Sequence, residues 1–86
     1  MNIIKEIKEI VCENLDIESE ETKTDISFFE LGGNSLTAYI VLEDIQEKFN
    51  VEISTEELFE KSTIEDIAAL VDEKLKLQKS NDFSYI

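Results

Sequence analysis

Histidine is absent from all 86 residues. That removes Ser-His-Asp and Cys-His nucleophilic chemistry within the chain, and it leaves no imidazole to ligate zinc or haem. There is a single cysteine, Cys12, so no internal disulfide can form. With no signal-like apolar segment and no run of about 18 apolar residues, the chain reads as cytoplasmic and independent of membranes. Cys12 sits beside Ile10 and Val11 and reads as a small, partly buried helix residue rather than a reactive thiol. Cations are scarce, with 8 Lys and Arg against 21 Asp and Glu and a net charge of −13. Such a balance argues against nucleic acid or anionic lipid as direct partners and for proteins with basic docking surfaces. The acidic Glu18, Glu20 and Glu21 lack the Asp-x-Asp-x-Asp-Gly pattern with a terminal Glu that calcium loops use, so no metal site is expected. The chain is long enough for one small domain and too short for two cores.

What is present is mostly helical periodicity. Ile3, Ile4, Ile7, Ile10 and Val11 recur at helical spacing after Asn2, a plausible N-cap, and the spacing predicts a first helix ending near Asn14 or Leu15. From Asp16 to Asn34 the period fails and polar residues accumulate, which predicts a long connection anchored by Ile17, Ile26, Phe28, Phe29 and Leu31. A second helix is expected from Ser35 to about Asn50, with Ala38, Val41, Leu42, Ile45 and Phe49 on its apolar face. After the short extended Val51-Glu52-Ile53, Ser54 and Glu57 have capping-box spacing and open a short helix through Leu58 and Phe59. Ser62 and Glu65 repeat that spacing ahead of a last helix whose apolar face is Ile64, Ile67, Ala68, Val71 and Leu75. Residues 78–86 carry no apolar stripe and read as a frayed C-terminal tail, with Phe83 and Tyr85 able to fold back. The expected fold is all-α: a small four-helix bundle of three longer helices and one short one, with a long first loop.

One segment stands apart. Gly32 and Gly33, the two glycines of the chain, immediately precede Asn34 and Ser35 at the start of the second helix. A serine there projects from a helix amino terminus, where unpaired N–H groups and the positive end of the helix dipole favour an anion on its oxygen. Small neighbours leave room for another protein's active site to approach. Leu36 and Tyr39, three apart and off the core face, form a candidate docking patch, while Glu43, Asp44 and Glu47 give the helix an acidic side.

The run Phe28-Phe29-Glu30-Leu31-Gly32-Gly33-Asn34-Ser35-Leu36 resembles the attachment segment of peptidyl carrier domains from nonribosomal peptide synthesis. Val51-Glu52-Ile53, Leu58-Phe59 and Ser62-Thr63-Ile64-Glu65-Asp66-Ile67-Ala68 resemble that family's second half, so the similarity runs from about Ile3 to Leu77. The resemblance implies an acyl-carrier-protein-like fold over residues 1–77, with a long loop folded over the bundle. It also implies 4'-phosphopantetheine, drawn from coenzyme A, attached at Ser35 by a phosphopantetheinyl transferase that holds its own magnesium. Gly32, Gly33, Asn34 and Leu36 would surround the arm, and Leu36, Tyr39, Glu43, Leu58 and Phe59 would meet partners. Those partners would be an adenylation enzyme and downstream condensing or tailoring enzymes.

The expected function is therefore that of a free-standing, monomeric aminoacyl or peptidyl carrier, not itself an enzyme, holding its cargo as a thioester. Fatty-acid carriers commonly place Asp at the position of Asn34 and a bulkier acidic pair at the double glycine. That difference favours the peptidyl reading over an acyl carrier for fatty-acid or polyketide assembly, or a D-alanyl carrier. An acidic helical adaptor without a prosthetic group is a further alternative. The charge carries its own prediction: self-repulsion in so small a domain should be relieved by screening. Thermal melts should therefore rise with added salt or divalent cations, and a melting temperature indifferent to both would refute it.

Overall fold

The computed structural model describes residues 2–84, and side chains through Leu77. Four helices follow one another: α1 (Ile3–Leu15), α2 (Ser35–Phe49), the short α3 (Thr55–Glu60) and α4 (Ile64–Ser84). Helix α1 starts where Asn2 caps it, the Asn2 side chain accepting from the Lys5 N–H. It stops at Asp16, which adopts the left-handed conformation with φ 56°; Asn50 ends α2 in the same way at φ 57°. Asp and Asn tolerate this region better than other non-glycine residues, which explains both stops in a chain short of glycine. Ser54 and Glu57 cap α3 reciprocally, as their spacing predicts. The Ser54 N–H holds the Glu57 carboxyl below its ordinary value, burial opposes this, and the Lys74 ammonium adds to the lowering.

Helices α1, α2 and α4 enclose one apolar core. Ile7 and Val11 of α1, Val41 and Ile45 of α2, and Ile64, Ile67 and Val71 of α4 are wholly buried, joined by Val51 and Leu58 from the α2–α4 connection. Cys12 is buried as well, more fully than the partial burial expected of it. Two links between α1 and α2 lie beside the core: an ion pair of Lys48 with Glu6, which raises the pKa of the Lys48 ammonium, and an amide hydrogen bond from Asn14 to the Asp44 carboxylate at 2.9 Å. Both are partly exposed, so they select the pairing more than they stabilise it.

Departures from the expected core are local. Ile4 is 45% exposed, because α4 faces the start of α1 with the short side chains of Ala68 and Ala69 and leaves a groove there. Leu42 and Leu75 pack at the margin of the core, and Leu70, off the expected stripe of α4, is buried. The cap of α4 is shifted by one residue: the Thr63 hydroxyl accepts from the Asp66 N–H at 3.0 Å. Ser62 is drawn away because its hydroxyl bonds that of Ser27 at 2.7 Å, and Glu65 instead accepts from the Thr24 hydroxyl at 2.8 Å. Helix α4 continues past Leu77 to Ser84, since no proline or glycine follows to break it. The expected return of Phe83 and Tyr85 to the bundle rests on the Phe83 side chain and on Tyr85, which lie outside what the structure describes.

The long connection between α1 and α2 is held by the body of the protein. Ser27 forms an isolated antiparallel bridge with Thr63, the Phe28 N–H donates to the Ser62 carbonyl at 2.7 Å, and the Glu65 N–H donates to the Thr24 carbonyl at 3.1 Å. Phe28 itself is fully buried. Its ring lies against Gly33, so close that a Cβ at residue 33 would overlap it, and the Gly33 N–H donates to the Phe28 carbonyl at 3.0 Å. Phe28→Ala should therefore cost about 3–5 kcal/mol in urea unfolding. Gly33→Ala should destabilise as well, since neither backbone can yield without losing that bond. A loss below about 1 kcal/mol for both would contradict this packing.

Candidate functional site

The packed Phe28–Gly33 pair ends at the start of α2, and the residues there are placed by a dense set of short bonds. Gly32 takes φ +111° with open space where a side chain would stand. That backbone conformation strains any residue with a Cβ, so Gly32 is required for its dihedral and Gly33 for its lack of volume. Neither glycine is there simply to admit a partner; both shape the turn that delivers the chain to Asn34.

Asn34 is the N-cap of α2. Its side-chain oxygen accepts from the N–H groups of Leu36 at 2.9 Å and Thr37 at 3.0 Å. Thr37 completes the box, its hydroxyl accepting from the Asn34 N–H at 2.8 Å, and the Ala38 N–H donates to the Asn34 carbonyl at 2.8 Å. The expectation that several free N–H groups await an anion at this terminus is thus corrected. Asn34 consumes those of Leu36 and Thr37, and only the N–H of Ser35 lacks a partner among the described residues. Ser35 is exposed, the first residue of the helix, and no described side chain hydrogen-bonds its hydroxyl. No carboxylate occurs in the first turn of α2.

Beside Ser35 lies an apolar surface. Leu36 is 72% exposed and Tyr39 60%, so both face solvent as their spacing predicts. Phe59 is half exposed and stacks on Phe29, ring centroids 5.3 Å apart and planes 24° from parallel, tying α3 to the long loop. Phe29 in turn meets Phe28 edge to face at 5.3 Å. Leu58 does not join this surface. It is fully buried in the core, because neighbours on a helix point about 100° apart and Phe59 takes the outward direction. Ile40, 43% exposed, extends the patch; its place four residues after Leu36 is the signal in the sequence. Glu43 and Glu47 are exposed, while Asp44 is partly covered and engaged by Asn14.

Residues 5–71 match the family described as the phosphopantetheine attachment site. The chain belongs to that family. Over 76 residues it is 36% identical to an acyl carrier protein of Streptococcus thermophilus, a match covering 88% of this chain and all of that protein. A stretch of 63 residues is 36% identical to part of bacitracin synthase 2 of Bacillus licheniformis, covering 73% of this chain and 2% of the synthase. Its fold superposes on a free-standing peptidyl carrier protein of Acinetobacter baumannii with TM-score 0.73 at 27% identity, over 81% of this chain and 89% of that one. The four helices are those of an acyl-carrier-protein-like domain, and the family's cofactor is a covalently attached 4'-phosphopantetheine. The domain is a carrier of that group, from a family with no catalytic activity of its own. No helix among the described residues is long and apolar enough to cross a membrane.

Proposed function

We propose that Ser35 carries the 4'-phosphopantetheine and that the arm's terminal thiol holds an aminoacyl or peptidyl group as a thioester for nonribosomal-peptide-type enzymes. The observation that carries the first half is the position of Ser35. It is an exposed hydroxyl on the first residue of α2, with an unpaired N–H beside it and no first-turn carboxylate. A phosphodiester fits there: the helix dipole favours it, one backbone donor is available, and nothing covers the oxygen. No described group is hydrogen-bonded to the Ser35 hydroxyl to serve as its base, so the phosphopantetheinyl group would be transferred from coenzyme A by a separate enzyme. When bound, the arm supplies a thiol on a long tether, and tethering replaces diffusion between partner sites by a high effective concentration.

The peptidyl half of the reading rests on Gly32-Gly33-Asn34 ahead of Ser35, on the similarity to part of bacitracin synthase 2, and on the likeness to a free-standing peptidyl carrier protein. Its alternative has its own support: the match to the Streptococcus acyl carrier protein extends over that protein's whole length. Leu36, Tyr39 and Phe59 would give partner enzymes an apolar contact, with Glu43 meeting basic residues at its edge. Such a patch is small, so partners would bind weakly and exchange. The domain would work as a monomer in the cytoplasm, loaded by an adenylation enzyme and unloaded by condensing or tailoring enzymes.

Incubation with coenzyme A, magnesium and a promiscuous phosphopantetheinyl transferase should add one phosphopantetheine to the intact mass, and Ser35→Ala should abolish the gain. A folded wild-type sample that gains nothing would contradict the assignment. The modified protein should then accept an amino acid from an adenylating enzyme with ATP. Loading by a malonyl transferase alone would favour the acyl carrier reading.

A further inference from the structure

From Ser35 to Leu42 the side chains of α2 offer hydrogen bonds at Ser35, Thr37 and Tyr39 and nowhere else. The Thr37 hydroxyl is engaged, accepting from the Asn34 N–H at 2.8 Å and donating to the Asn34 carbonyl at 3.0 Å. The Tyr39 hydroxyl has no partner among the described residues, although Glu43 offers an acceptor one turn further on. Long side chains on a helix lean toward its amino terminus and over the residue four before them. Tyr39 is thereby directed away from Glu43 and over Ser35, one turn back. A turn rises about 5.4 Å, a distance that a tyrosine side chain spans. The residue is also largely exposed, so burial is not what holds a tyrosine there.

Resting on the reading of Ser35 as the attachment point, we propose that Tyr39 positions the phosphopantetheine arm: its hydroxyl donates to a phosphodiester oxygen and its ring lies against the arm's dimethyl segment. A phosphodiester brings two unesterified oxygens to a turn where the Ser35 N–H is the one backbone donor left unpaired. The single cation of α2, Lys48, lies in its last turn and pairs with Glu6. Within the helix, Tyr39 is the donor that remains. A hydrogen bond to an anion is about twice as strong as one between neutral groups. Leucine or phenylalanine would serve an apolar docking patch as well as tyrosine does; the hydroxyl is what those residues lack. Leu36, three residues before Tyr39 and also exposed, widens the apolar surface open to the dimethyl segment. A partner that covers Tyr39 on docking would displace the arm from it, so docking and release of the arm would be one event.

The test uses protein labelled with carbon-13 and nitrogen-15, modified from unlabelled coenzyme A by a promiscuous phosphopantetheinyl transferase. Intact mass, with Ser35→Ala alongside, reports the completeness and site of modification. Isotope-filtered spectra should show nuclear Overhauser contacts from a tyrosine ring to the arm's methyl protons, and Tyr39→Ala should abolish them. Tyr39→Phe removes the hydroxyl and keeps the ring. The ring contacts should persist in it, while the phosphorus-31 resonance of the diester moves toward its position in the urea-unfolded protein. A merely structural role for the ring would leave that resonance in place. Amide spectra of the variants away from the site should match the wild type, because the side chain is exposed. A modified wild type without the ring-to-methyl contacts, or a phosphorus resonance that Tyr39→Phe leaves unmoved, overturns the proposal and leaves attachment at Ser35 standing. No mass gain in the wild type, or a gain that survives Ser35→Ala, overturns the attachment reading and this proposal with it.

Discussion

The ring of Phe28 occupies the volume that a side chain at residue 33 would need, and the rest of the molecule is arranged around that contact. Phe28 is buried with the core residues of all four helices, its N–H is bonded to Ser62 ahead of α4, and its carbonyl accepts from Gly33 just before the cap of α2. One residue of the long loop thereby fixes two helix starts. The loop is a structural member of the bundle, which resolves the tension between its length and the compactness of the domain. From Gly33 the chain passes to Asn34 and Ser35 with no freedom left, and the exposed serine is held at the start of a rigid helix.

Around this anchor the chemistry of the surface is divided cleanly. Apolar residues that the core does not use, Leu36, Tyr39, Ile40 and Phe59, are exposed on or beside the first turns of α2, and the Phe29–Phe59 stack joins loop to α3 at the edge of that region. Carboxylates occupy the other helix starts and the outer face of α2, but not its amino terminus. Histidine is absent from the chain, and its lone cysteine is buried.

Much of this was readable from local pattern. The Asn50 stop, the Asn2 cap and the Ser54–Glu57 box follow from side chains acting within a few residues of themselves, and the structure places them where the residues imply. What could not be read depends on residues distant in the chain. Ser62 failed as a cap because Ser27 claims its hydroxyl, and Leu58 turned inward because the core, not the short helix, decides which of two adjacent apolar residues is buried. Gly33 looked like clearance for a partner until Phe28 was seen to fill the space. Ile4 lost its cover to the short alanines of α4. The segment Gly32-Gly33-Asn34-Ser35 stands out in the sequence because its glycines, cap and serine are consecutive. That the cap of α2 consumes the very donors expected to serve an anion is a matter of rotamer and distance, which no spacing encodes.

Native-state hydrogen exchange of the Phe28 and Gly33 amides tests most directly whether the loop is part of the folded unit. Both amides should exchange only through the opening that releases Val41 of α2 and Ile67 of α4, with the same free energy and the same dependence on denaturant. Exchange of Phe28 and Gly33 through a small, denaturant-independent opening while Val41 and Ile67 stay protected would mean that the loop detaches from an intact bundle, and would contradict the account.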